Sequence, residues 1–156
     1  MGVGENGAID PSTGFPEIRA MLWKDGTVND LGTFGGTISL GLDLNNRGLV
    51  VGVAENSTPD SYGFGIVPLY FVGWPVAKQV RAFLWQNGVM QDLGTLGGND
   101  ASAGLINDLG QVAGVSYTDT IPNATTGFPT EDPFFWQNGK MADIGSLGGS
   151  SATHAG

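Results

Sequence analysis

The chain contains no cysteine, which excludes disulfides, thiolate zinc sites, iron–sulfur clusters and cysteine nucleophiles together. Histidine is nearly absent as well. His154 stands alone near the end of the sequence, so no multi-histidine metal site can form and most imidazole acid–base designs are excluded. Positive charge is scarce: six basic residues face 15 acidic ones, a formal net charge of −9. No basic stripe exists to neutralise phosphates, which argues against nucleic acid as a partner. Charged residues of both signs make up only 13 %, about half the usual share. Long apolar runs are missing too. The most apolar stretch, residues 65–77, is broken by Pro68 and Pro75 and is too short to span a bilayer. The opening MGVGENGAID has neither the basic nor the apolar region of a signal peptide. On that reading the chain stays in the cytosol, or its leader lies outside this sequence.

What is present is glycine and a repeat. Glycine occupies 27 of 156 positions, and hydrophobic residues reach 40 %, enough for the core of one domain or of one segment of a larger one. Self-comparison organises the chain. Arg19 onward reads RAMLWKDGTVNDLGTFGG, Arg81 onward RAFLWQNGVMQDLGTLGG, and Asp132 onward DPFFWQNGKMADIGSLGG. The match continues from Asn45–Gly52 to Asn107–Gly114, and Gly2-Val3-Gly4-Glu5-Asn6 is similar to Gly52-Val53-Ala54-Glu55-Asn56. The units run approximately over 2–36, 37–98 and 99–149, with a partial one over 150–156.

Each unit parses into about four strands. Runs such as Ala82-Phe83-Leu84-Trp85 suit a strand buried on both faces. They lead into Asp25-Gly26, Asn87-Gly88 and Asn138-Gly139, the residue pairs that a type I′ hairpin turn needs. The following strand alternates, as in Met90-Gln91-Asp92-Leu93, and stops at Gly97-Gly98; residues 101–106 and 111–116 supply two more strands. No segment carries a helical period with caps. An all-β fold results, propeller-like, with four antiparallel strands in each blade. A β-solenoid stack is the alternative.

The segments Arg81–Gly88, Asp92–Gly98 and Ile106–Gly114 resemble the bacterial HAF repeat family. The likeness covers residues 19–56, 81–116 and 132 to the end. The His-Ala-Phe opening of that family is replaced by Arg19-Ala20-Met21, Arg81-Ala82-Phe83 and Asp132-Pro133-Phe134. The resemblance implies a repeat fold and a secreted or cell-surface location, and it brings no catalytic residues.

The first residues look like the fourth strand of a unit and residues 150–156 like the start of a third. Three readings follow: a fragment of a longer propeller, closure within one chain, or completion between copies, six blades from two chains or a filament. An unpaired edge invites such pairing.

Candidate sites are few. Asp30, Asp92 and Asp143 precede the Leu/Ile-Gly of each unit, where a carboxylate caps the turn amides, or joins Asn99, Asp100, Asn107 and Asp108 on calcium. No dense calcium loop occurs, so neither metal nor cofactor is expected. Trp23, Trp85 and Trp136 recur at one position and are expected in the core. The variable segments 7–18, 57–80 and 117–131 carry Phe15, Tyr62, Phe64, Tyr70, Phe71, Trp74 and Phe128. These aromatic faces could stack on sugars or dock a partner, or fold back over the core. No serine elbow, P-loop or Cys/His constellation is present, and the acidic residues are explained by turns, so no enzymatic activity is expected. The sequence therefore points to an extracellular structural or adhesive protein that associates with itself as an oligomer or filament. The alternative is a carbohydrate- or protein-binding module, with surface polysaccharide as ligand.

Overall fold

The structure, a computed structural model, describes residues 1–66 and 75–149, without the side chain of Phe64. It is all-β. Among the described residues eleven strands follow in chain order: β1 (Gly2–Ile9), β2 (Pro16–Lys24), β3 (Thr27–Asp30), β4 (Gly35–Leu44), β5 (Val50–Pro59), β6 (Lys78–Gln86), β7 (Val89–Asp92), β8 (Ala101–Ile106), β9 (Val112–Tyr117), β10 (Glu131–Gln137) and β11 (Lys140–Asp143). One helical turn among the described residues, α1 (Gly63–Ile66), lies between β5 and β6.

The strands form two sheets. One has four strands in the order β11-β10-β9-β8; the other has seven, β1-β2-β4-β5-β6-β7 with β3 on β2. Within the larger sheet, β4 to β7 form an antiparallel meander like that of β8 to β11. The parallel pair Ile18↔Ile38 joins this meander to β1, β2 and β3. Among the described residues the sheets close into neither a barrel nor a propeller.

Three hairpins share one geometry, and their sequence dictates it. Asp25, Asn87 and Asn138 adopt φ of 52°, 50° and 51°, each followed by a glycine at positive φ, as a type I′ turn requires. Register is the same each time: Trp23↔Val28, Trp85↔Met90 and Trp136↔Met141 face each other two residues before the turn. Beyond each hairpin the chain reconnects identically. The amides of Leu31, Leu93 and Ile144 donate to the carbonyls of Ala20, Ala82 and Pro133 at 2.9, 3.0 and 3.0 Å.

Two of the hydrophobic clusters lie at junctions between these groups of strands. Ala20, Leu22 and Leu31 pack against Val50, Ala54 and Phe83, with Phe34, Trp85 and Met90 half-buried at the margin. Leu49, Val51, Ala82, Leu84 and Leu93 pack against Ala101, Ala103, Ile106, Val112, Phe134 and Trp136. β6 thus buries both faces, Ala82 and Leu84 on one side and Phe83 and Trp85 on the other, because strand side chains alternate. Glycine makes the close approach possible at β5. A Cβ on Gly52 would fall 1.9 Å from the Leu40 carbonyl oxygen, so only glycine lets the two backbones run so near.

Candidate functional site

Two regions collect groups capable of recognition: the end carrying the long connections, and the two outer faces of the stack of strands. At the first, β5 ends in a turn in which Asp60 accepts hydrogen bonds from the amides of Tyr62 and Gly63, at 2.6 and 3.1 Å. This sets α1 against the rings of Tyr117 and Phe128, so close that a Cβ on Gly65 would meet both. Tyr62 lies edge-on to Phe128, with ring centroids 6.3 Å apart, and the Tyr117 hydroxyl donates to the Tyr62 carbonyl at 3.2 Å. Tyr62 and Phe128 also pack against the cluster of Ile18, Ile38, Leu40, Val53, Ile66, Val80, Val115 and Tyr117. Two of the predicted ligand-binding aromatics are therefore brought together, but they roof the core. Their neighbours are apolar residues of sequentially distant strands, which a linear sequence does not disclose. Phe15 is more exposed, on the separate turn between β1 and β2. Tyr70, Phe71, Trp74, the side chain of Phe64, His154 and the partial unit 150–156 lie outside the described residues.

Among the described residues the carboxylates Asp10, Glu55 and Asp100 are buried. Asp10 accepts from the Ser12 hydroxyl at 2.6 Å, from Thr37 at 2.9 Å and from the Lys78 ammonium at 3.3 Å, and the Ser12 bond leads in holding its carboxyl well below the usual range. Thr37 bridges onward to Glu55, whose carboxyl burial pushes up. Asp100 is fully buried. Its Oδ1 accepts from the Val80 amide at 2.7 Å, while Oδ2 has no hydrogen-bond partner. Burial leads in pushing its carboxyl up to about 7, with the nearby Asp60 charge adding to the rise. Among the described residues no three carboxylates or imidazoles gather where a metal ion could be held. Two open depressions of about 320 Å³ lie near hairpin tips, one by Asn87 and Gln91, the other by Trp23 and Arg47. Neither joins an acid or base to a nucleophile.

The three recurrent aspartates serve as caps. The Oδ1 atoms of Asp30, Asp92 and Asp143 accept from the amides of Gly32, Gly94 and Gly145 at 2.8, 2.8 and 2.6 Å. Asp92 is also bound by Arg81 at 2.9 Å, and Arg81 reaches across to the Asn99 carbonyl at 2.8 Å. Arg19 does the same from its own hairpin, to the Thr37 carbonyl at 2.8 Å. At the corresponding place in β10 stands Asp132, whose Oδ1 is buried without a partner. Asp92→Ala removes both the cap and the arginine's anchor. The expected cost is about 1 kcal/mol in urea unfolding, and no loss would show that water replaces both bonds.

The outer faces correct one expectation. Trp23 is not in the core: it is 68 % exposed, whereas Trp85 is half-buried and Trp136 is 7 % exposed. The physical reason is neighbourhood. Trp85 packs with Leu22 and Leu31 of the preceding group of strands, and Trp136 with Leu84 and Leu93, but among the described residues no strand lies over Trp23. Val28, paired with Trp23, is exposed for the same reason. At the opposite end the trend is mirrored. Leu31 and Leu93 are 4 % and 6 % exposed, while Ile144 at the matching position is 60 % exposed. Leu147 is fully exposed, although its counterparts Phe34 and Leu96 pack into junctions. No sequence signal separates these positions, since the residues themselves are alike in kind. No protein-family model matches the chain, and no curated protein or solved structure matches it.

Proposed function

We propose that the chain is a non-enzymatic, extracellular repeat protein with a structural or adhesive role, whose copies associate through open repeat edges. Its units are read as four-stranded, propeller-like blades. The observation that carries this reading is the edge of β1. β5 and β9 are each hydrogen-bonded on both sides, to β4 and β6 and to β8 and β10, whereas among the described residues β1 is bonded to β2 alone. A free strand edge is a template for another strand. The three like hairpins and their common register support the repeat, and the resemblance to HAF repeats supports the location outside the cell. Asp30, Asp92 and Asp143 are occupied as turn caps, which favours a structural protein over a hydrolase.

Size-exclusion chromatography with light scattering and electron micrographs test the association. Defined oligomers or fibres well above the 16.1 kDa of one chain are expected. A monomer at every concentration that binds on a glycan array would overturn this reading. It would favour instead a carbohydrate- or protein-binding module using the aromatic connections, with Tyr62, Phe64, Tyr70, Phe71, Trp74, Phe15 and Phe128 as its candidate residues.

A further inference from the structure

We infer that copies of the chain dock face to face, the outer face of β10 and β11 on one copy covering the outer face of β2 and β3 on the next. This inference rests on the self-association proposed above, places the contact on the two outer faces rather than on the β1 edge, and gives its direction. The occupant is identified by the junctions already inside the molecule. In each of them, one group of strands presents a leucine at the end of its hairpin and a second apolar residue three positions on: Leu31 and Phe34, then Leu93 and Leu96. The next group presents a tryptophan and its cross-strand methionine: Trp85 and Met90, then Trp136 and Met141. The outer faces carry one half of that pattern each. Ile144 and Leu147 stand exposed where the first half belongs, and Trp23 and Val28 stand exposed where the second belongs.

The two halves differ, so the contact is heterologous: each copy uses one face to bind forward and the other to bind back. Such a contact makes a ring when its rotation closes and a filament when it does not. An isologous dimer, in which one face meets its own copy, would leave the other face bare. Exposed apolar residues in a cluster are what such a contact needs, and tryptophan is enriched among residues that anchor interfaces.

Mixing two blocked variants tests the direction. Trp23→Glu blocks the first face and Ile144→Glu with Leu147→Glu blocks the second. All three positions are exposed, so folding is retained, which circular dichroism confirms. Each variant alone is expected to run as a monomer in sedimentation velocity, and their equimolar mixture as a species of twice the chain mass, because one good face of each kind remains. Should either variant still assemble alone, or the mixture stay monomeric while the unmodified chain assembles, the docking mode is overturned and association by another surface stands. A monomeric unmodified chain would overturn both the docking mode and the association on which it rests.

Discussion

Asp100→Asn raises stability above pH 7 and removes a pH dependence that the unmodified chain shows between about pH 4 and 7. The carboxyl has no access to solvent, and Oδ2 has no hydrogen-bond partner to stabilise a negative charge. Its pKa therefore lies at about 7 in the fold against an ordinary value of 3.8. The sign follows from proton binding. Between those values the folded chain holds a proton that the unfolded chain has released, so stability falls as pH rises. The contribution is fully present below about pH 4 and lost by about pH 7. The gap corresponds to about 4 kcal/mol, which for a chain of this size moves the melting temperature by about 10 °C. Asparagine keeps the oxygen that accepts from Val80 and carries no charge. Groups facing the site from every packed element are Asp60, Arg81 and Tyr117, and all remain in the variant. Thermal melts of both proteins from pH 4 to 8 give the test: the curves diverge as pH rises. A constant offset across that range would show that the charged form has a partner, such as a bound cation, and adding a chelator would then destabilise only the unmodified chain.

Tryptophan-to-alanine changes at matching positions should differ in cost by nearly the full scale of a core substitution. Trp136 is 7 % exposed and packs among Leu84, Leu93 and Phe134. Its loss empties a large volume in a close-packed junction, at about 3–5 kcal/mol. Trp23 sits at the equivalent register with most of its surface in solvent, and its truncation changes the stability of a single chain by about 0.5 kcal/mol. Urea unfolding under dilute conditions checks both. Equal losses would mean that Trp23 is covered in the isolated chain, which would contradict its exposure on the outer face. At high concentration the Trp23→Ala loss should grow, since association stabilises the folded state by mass action.

The hairpins were the most legible part of the molecule. Asp25-Gly26, Asn87-Gly88 and Asn138-Gly139 determine their turns locally, because few residues tolerate positive φ, and the structure places all three there. The aspartate caps were legible for the same reason, each acting on an amide two residues away. Strands and the all-β class followed from apolar runs between turns. What escaped is what depends on distant neighbours. Equivalence of Trp23, Trp85 and Trp136 in sequence says nothing of whether a neighbour covers each one. Burial of Asp100 follows from the approach of β5, β6 and Asp60, none of which is adjacent in the chain. The turn Asn45–Gly48 likewise docks on its own counterpart, with Asn46 bound to Asp108 at 2.8 Å and Asn45 to the Asn107 carbonyl at 2.9 Å. Both turns are polar and could have faced solvent. Only their stacking turns the same residues into a contact, and the Asn46 bond leads in lowering the Asp108 carboxyl.

Association through both ends of the stack is tested by amide hydrogen exchange at low and high protein concentration. Amides of β2 and β3 around Trp23 and Val28, and those from Asp143 to Leu147, are expected to gain protection together on concentration. Amides of β5 and β9, already bonded on both sides, should not change. Identical exchange at both concentrations, or protection gained at one end only, would contradict it.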